Sequence, residues 1–120
     1  MKLANVDGRA TVVTDAGGVD VAQASDGRFG PDVQALFGEW REFLAFASNV
    51  PTTSATPIDD SALGPPVPRP PQVFAIGLNY RAHAEESGMD IPGVPATFTK
   101  FPASITGPFA EVEIPAQRQA

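Results

Sequence analysis

Residues 73–86 read VFAIGLNYRAHAEE, and this stretch is the most informative part of the sequence for the fold. The apolar run Val73–Ile76 is typical of a buried strand. Gly77 follows it and lets the backbone turn sharply. The segment 81–87 favours a short helix, and Gly88 is a typical residue for the end of a helix. The stretch therefore predicts a strand that passes directly into a helix.

The residues after this helix predict a further loop and two strands. Ile91–Pro95 reads as a rigid loop because it holds two prolines and a glycine. A strand is expected over 96–101 and a turn at Thr106–Pro108. A final strand is expected over Ala110–Ile114, ended by Pro115.

His83 is the single histidine of the chain, and Glu86 follows three residues later in the predicted helix. Residues at this spacing share a helix face. A carboxylate bonded to one imidazole nitrogen fixes the tautomer and leaves the other nitrogen to accept a proton. Such a pair could act as a general base. On spacing alone, an exposed surface pair is the simpler explanation.

The longer pattern around this pair resembles a known family. Residues 73–83 followed by Glu86 are similar to the signature that opens the catalytic domain of the fumarylacetoacetate hydrolase family. The similarity continues in order through Pro92 and Pro95, then the TFTK of 97–100 and the PASITGP of 102–108.

The resemblance implies an α+β fold in which a small N-terminal hairpin and helix module precedes the start of a mixed β-roll catalytic domain. It also implies Mg²⁺ or Mn²⁺ and substrates that are 2-oxo or 1,3-dicarbonyl acids, which are hydrolysed, decarboxylated or isomerised. By position, His83 would be the water-activating base and Glu86 its orienting partner. Lys100 would hold an anionic oxygen of the substrate, and the alternative is an exposed strand lysine with no role in binding. Arg81 could meet a substrate carboxylate.

The metal ligands of the family are acidic residues, including a Glu-x-Glu pair and a later aspartate, and they are expected beyond residue 120. No residue of this chain is therefore assigned as a metal ligand. Glu111 and Glu113 would lie on one face of the predicted last strand. However, they come too early in the motif order and precede Ile114–Pro115 rather than an apolar strand. This chain alone is expected to be catalytically inactive, and whether it acts as an enzyme stays open.

The first 22 residues predict three short strands, at 3–6, 9–14 and 19–22. Asp7-Gly8 is a strong signal for a two-residue hairpin because both residue types tolerate positive φ. A turn is expected at Asp15–Gly18. A sheet of three strands needs a cover.

The predicted cover is a helix that starts near Gly30-Pro31-Asp32 and runs to about residue 47. Seven apolar residues fall on one stripe at helical spacing and are expected to form the core. They are Val33, Leu36, Phe37, Trp40, Phe43, Leu44 and Ala47.

Residues 51–72 are rich in proline and lack apolar periodicity, which favours an extended linker. The predicted domains are therefore 1–50, a linker at 51–72, and 73–120. Residues 65–71 also satisfy the P-x-x-P pattern of ligands for peptide-binding domains, so an adaptor role is an alternative to a spacer.

The composition limits the partners. The formal net charge is −6 with scattered basic residues, which argues against nucleic acid. The absence of cysteine fits a reducing cytoplasm. No apolar run is long enough for a membrane span, and Met1 to Asp7 lacks the features of a signal peptide. The expected partner is a small oxo-acid, and the family resemblance implies a homodimer for the complete protein.

Overall fold

The computed structural model describes residues 1–114, which fall into two compact units. The first unit contains, among the described residues, Met1–Pro68 and Thr106–Ile114. The second unit is Arg69–Ile105. The sequence predicts domain boundaries after residues 50 and 72. These boundaries stay a prediction.

The first unit is built on a four-stranded antiparallel sheet with strand order β3-β2-β1-β4. The strands are β1 (Lys2–Val6), β2 (Arg9–Thr14), β3 (Gly17–Asp20) and β4 (Leu63–Gly64). Asp7 and Gly8 join β1 to β2 with φ of 49° and 77°. Two successive positive φ values define the hairpin turn whose twist matches the strands. The predicted hairpin is therefore confirmed.

The third strand ends earlier than its sequence predicts. Residues 21–22 were expected to be in the strand, but they begin helix α1 (Val21–Ala24). Asp20 causes the change because its Oδ1 accepts a hydrogen bond from the backbone N–H of Gln23 at 2.9 Å. An aspartate in this position caps a helix and competes with the strand.

The predicted long helix from residue 31 to 47 is wrong in its first half. The structure has a 3₁₀ helix at Ala35–Glu39, followed by the α-helix α2 (Trp40–Ala47). The carbonyl of Pro31 accepts a hydrogen bond from the N–H of Ala10 at 2.7 Å, so this residue is tied to β2 and not to a helix. Gly38 further weakens a continuous α-helix.

The change of helix type also splits the predicted apolar stripe. Val33, Leu36, Phe43 and Ala47 are buried as expected. Phe37, Trp40 and Leu44 keep 44%, 37% and 37% of their surface exposed, so the prediction that they lie in the core is wrong. A 3₁₀ helix has three residues per turn and an α-helix 3.6, so one stripe does not run straight through both.

Phe29 is a core residue that the helical pattern missed. It is 1% exposed and packs edge-to-face on Phe43, with ring centroids 5.8 Å apart and an interplanar angle of 85°. The core joins these rings to Ala10 and Val12 of β2 and to Val21 of α1.

Part of the predicted linker belongs to the sheet. β4 lies within residues 51–72 and pairs with β1, with Asn5 opposite Gly64. Thr56 exchanges two backbone hydrogen bonds with Gly18, at 2.8 and 2.9 Å. The interpretation of 51–72 as an extended spacer without regular structure is therefore wrong for these residues.

The second unit has a two-stranded antiparallel ribbon and one short helix. The elements are β5 (Val73–Gly77), α3 (Arg81–Glu86) and β6 (Ala96–Lys100). Gly77 lies opposite Ala96, and Val73 lies opposite Lys100. The strand, helix and strand predicted from the sequence are confirmed here, as is the α+β class. The prediction that the first of these strands is buried is wrong, because Phe74 and Ile76 keep 68% and 49% of their surface exposed.

The last described residues differ from the prediction. The predicted strand at Ala110–Ile114 is wrong, because residues 110–114 have no regular structure and no strand among residues 1–114 pairs with them. The predicted turn at 106–108 is shifted to Pro108–Phe109. Pro115 lies outside the described residues.

No helix within residues 1–114 is long and apolar enough to cross a membrane.

Candidate active site

The predicted catalytic residues lie on α3, a helix with a defined C-terminal end. Gly88 has a φ of +63°, and its N–H donates to the carbonyl of Glu85 at 3.1 Å. The N–H of Met89 donates to the carbonyl of Ala84 at 3.0 Å. These two bonds form a Schellman motif, which satisfies carbonyls that a helix end would otherwise leave open. The predicted stop at Gly88 is confirmed, and it fixes the end of a helix of six residues.

His83 and Glu86 are both exposed on α3. No hydrogen bond or ion pair joins these two side chains in the described part of the chain. The helix brings the two residues to one short segment, as their spacing predicts, but their pairing stays a prediction. Arg81 is the first residue of the same helix and is also exposed.

Lys100 lies at the other end of the ribbon from the point where the chain leaves for α3. It is opposite Val73, the first residue of β5, whereas the chain reaches α3 through Gly77, the last one. Its side chain is exposed, and Nζ lies 5.5 Å from the centroid of the Phe98 ring, within the range of a cation–π contact. No ion pair joins Lys100 to α3 in the described residues, and its role in binding substrate stays a prediction.

Leu78 is a feature of this region that the sequence reading missed. Its φ is +52°, in the left-handed region, between the end of β5 and α3. A non-glycine residue pays about 1–2 kcal/mol for this conformation. Leu78 also lines a shallow cleft of about 220 Å³ with Gly77, Asn79 and the loop Pro92–Pro95. Leucine carries no sequence signal for positive φ, so this strain could not be predicted.

The described residues do not form a metal site. Within residues 1–114, no group of three or more histidine, cysteine, aspartate or glutamate side chains is close enough to hold an ion. Glu111 and Glu113 are exposed and lie outside any strand, so the predicted placement on one strand face is wrong. Members of the family suggested by the sequence generally use divalent metals. The donor set seen here does not by itself fit such an ion.

The first unit has a second cleft, of about 350 Å³, beside the Arg9–Asp20 ion pair. Nε of Arg9 donates to Oδ2 of Asp20 at 2.6 Å, and Nη2 donates to Oδ1 at 3.1 Å. The hydrogen bond from Arg9 is the main reason why the pKa of Asp20 is lowered, and the bond from the Gln23 N–H adds to it. The pair connects β2 to the start of α1, which is a structural role.

The proline-rich run is partly engaged within the first unit. The carbonyl of Pro65 accepts a hydrogen bond from Nδ2 of Asn5 at 3.0 Å, and Pro66 lines a cleft with β1 and β4. A ligand for a proline-binding groove is normally free along its length. These contacts favour a structural role over the adaptor alternative.

These features define an α+β chain in which a short exposed helix, carrying an arginine, a histidine and a glutamate, follows a β-ribbon strand. Residues 72–120 match the family model described as "Fumarylacetoacetate (FAA) hydrolase C-terminal". A crystal structure of a protein described as HpcE, from Mycobacterium smegmatis, is 50% identical with a TM-score of 0.81 and matches 97% of this chain. The chain belongs to the fumarylacetoacetate hydrolase family, as the resemblance implied.

Relatives with curated names are similar over shorter stretches. Human "Oxaloacetate tautomerase FAHD2A, mitochondrial" is 44% identical over 54 residues, which is 45% of this chain and 17% of the relative. Xenopus laevis "Oxaloacetate tautomerase fahd2, mitochondrial" is 31% identical over 88 residues, 66% of this chain and 28% of the relative. This chain also spans 41% of the solved HpcE chain. Each relative therefore has more polypeptide than the part matched here. The human and frog proteins are named as mitochondrial, and the cytoplasmic location and homodimer expected for this protein stay predictions.

Proposed function

We propose that this chain is part of a fumarylacetoacetate hydrolase-family enzyme that isomerises a 2-oxo dicarboxylic acid of the oxaloacetate class by moving a proton between carbon and oxygen. The observation that supports this most is α3, which presents Arg81, His83 and Glu86 on one exposed helix inside the matched region. The names of the human and frog relatives favour tautomerisation among the reactions of the family.

His83 is the proposed base. Its imidazole takes a proton from the carbon next to the substrate carbonyl, and the electron pair of that C–H bond forms the carbon–carbon double bond of the enolate. The same proton is then returned to the carbonyl oxygen, so the enol forms with no other reactant. Glu86 holds the imidazole in the tautomer that can accept the proton, which needs a side-chain rotation on α3 to bring the two groups together.

Arg81 and Lys100 are the proposed substrate contacts. Both are exposed cations, and a dicarboxylate offers one anionic group to each. A guanidinium can bind a carboxylate through two parallel hydrogen bonds, whereas an ammonium acts as a point charge. Because Lys100 ends the ribbon opposite the start of α3, the two cations would approach a substrate from different sides.

The proposed enzyme would also bind a divalent metal, although none of the proton-transfer steps above involves it. Mg²⁺ or Mn²⁺ would act as a Lewis acid for the developing negative charge. Its ligands would come from polypeptide other than residues 1–114, since those residues have no ligand cluster. We accordingly expect the chain by itself to have no activity.

A hybrid enzyme tests the proposal. In this hybrid, the present chain replaces the matched part of the M. smegmatis HpcE protein, which is 50% identical. The ultraviolet absorbance of enol oxaloacetate is followed as it converts to the keto form. Removing a positioned base costs about 10²–10⁴ in rate, so His83→Gln should lower kcat by that factor. Glu86→Gln should lower it by less, because it only orients the base.

Glu85 provides the matched control, since it is an exposed glutamate on the same helix, next to Glu86. Glu85→Gln should leave kcat within about twofold, as expected for a surface change. Normal turnover in His83→Gln would refute the assignment of the base. Release of a C–C cleavage product without tautomerisation would instead indicate that His83 activates water for hydrolysis.

A further inference from the structure

Three residues other than glycine have positive φ in the described part of the chain: Asp7, Asp26 and Leu78. Asp7 and Asp26 are of a type that tolerates this conformation, and each is followed by glycine in a turn. Leu78 has neither advantage. A strained residue of this kind persists only when its surroundings hold it, and such residues cluster at functional sites.

The neighbouring glycine does not take the left-handed conformation, although it could. Gly77 is not among the residues with positive φ. A Cβ at this position would lie 3.3 Å from Cε1 of Phe98, so glycine here leaves room for that ring in the ribbon. The change in chain direction therefore falls on Leu78.

The position of α3 depends on this change of direction. Only Asn79 and Tyr80 separate Leu78 from the first residue of α3, and Tyr80 is extended with φ −123° and ψ 131°. Because α3 starts so close to this bend, the backbone angles of Leu78 determine the direction of the helix. Arg81 and His83 move with the helix.

The side chain of Leu78 is placed to hold the backbone. It is half-buried, whereas Asn79 and Tyr80 are exposed. It lines the same cleft as Pro92–Pro95, the loop that follows α3. The leucine, which lies before the helix, thus borders the same cleft as the segment that follows the helix.

We propose that Leu78 is a positioning residue. Its left-handed backbone conformation sets the direction of α3, and its side chain holds the helix in that direction by packing against the Pro92–Pro95 loop. The catalytic consequence rests on the proposed function, because α3 matters for chemistry only if His83 does. The direction of α3 itself can be measured without any substrate.

The experiment uses NMR of the isotope-labelled chain. Residual dipolar couplings of the α3 amides, compared with those of β5 and β6, report the direction of the helix within its unit. The imidazole signal of His83 gives a second readout, and it is unambiguous because the chain has one histidine. We expect Leu78→Gly, which allows the backbone angle but removes the anchor, to reduce the α3 couplings towards zero and shift the imidazole signal. Leu78→Val should also change them, because a β-branched residue resists positive φ.

Leu78→Met restores an unbranched apolar side chain of similar size and should recover the parent couplings. Ile91→Ala is the matched control, since Ile91 is an apolar residue of the same unit that is 50% exposed and does not line the cleft, and it should leave the readouts unchanged. The proposal is overturned if Leu78→Gly keeps the parent couplings and imidazole signal. It is equally overturned if the β5 and β6 signals are lost together with those of α3, since Leu78 would then serve general stability. Neither result depends on whether His83 is a base, so this proposal and the proposed function can fail separately.

Discussion

Replacing Phe43 with alanine should remove a large share of the stability of the first unit. Phe43 is fully buried, packs edge-to-face on Phe29, and has its ring 5.8 Å from that of Phe29 and 5.5 Å from that of Trp40. A phenylalanine-to-alanine change in a packed core costs about 3–5 kcal/mol. Domains of this size are stable by about 5–15 kcal/mol, so the loss is at least about a fifth of the total. The melting temperature should fall by at least about 12 °C.

Urea unfolding measures the effect, because Trp40 is the single tryptophan and lies against Phe43. Far-UV circular dichroism provides a second signal that does not depend on the indole environment. Phe37→Ala is the matched control, since Phe37 also contacts Trp40 but keeps 44% of its surface exposed. We expect it to cost less than about 1 kcal/mol. Equal losses in the two variants would refute the assignment of Phe43 to the core and Phe37 to the surface.

Three other predictions follow from particular contacts. The pKa of Asp20 is held below its ordinary value of 3.8 by Arg9, so its stabilising contribution is present above that value and is lost as the pH falls through the lower, folded-state pKa. In Asp20→Asn, the melting temperature should therefore fall less steeply as the pH is lowered below 3.8. Asp20→Ala should cost about 1 kcal/mol more than Asp20→Asn, because it also removes the side chain that caps α1. Gly107→Ala should destabilise the first unit by about 1–3 kcal/mol in urea unfolding, since the new Cβ would lie 2.6 Å from the carbonyl oxygen of Leu63. In the hybrid enzyme, Lys100→Met should raise KM about tenfold or more with kcat unchanged if the lysine only binds substrate, and a fall in kcat at constant KM would contradict that role.

The elements that the sequence predicts well are those whose signals are local. Asp7-Gly8 specifies a hairpin because the two residues themselves favour its backbone angles. The same holds for Gly88 at the end of α3. The ribbon was predictable because Val73–Gly77 is a clear apolar strand in a specific motif.

The elements that were missed depend on contacts between distant residues. Leu63–Gly64 has no strand pattern and becomes a strand only because it pairs with β1. The start of the helix before α2 is displaced because the Pro31 carbonyl is taken by β2. Tertiary contacts override local propensity in both cases.

In the candidate site, too, the features with local sequence signals were predicted and those without such signals were not. The motif places His83 and Glu86 on one helix, and the structure has that helix. The positive φ of Leu78 falls between the end of β5 and the start of α3, and no property of the leucine itself predicts it.

The most direct test of the account is whether the His83 imidazole lies beside the bound substrate. Oxalate is a stable mimic of the planar enolate of a 2-oxo acid, and it can be titrated into the metal-loaded hybrid enzyme while the imidazole signals are followed by NMR. The His83 signal is identified by its loss in His83→Gln. We expect it to shift with oxalate along a saturable curve whose midpoint equals the inhibition constant. An enzyme that oxalate inhibits while the His83 signal stays unchanged would contradict the central claim that this helix carries the catalytic base.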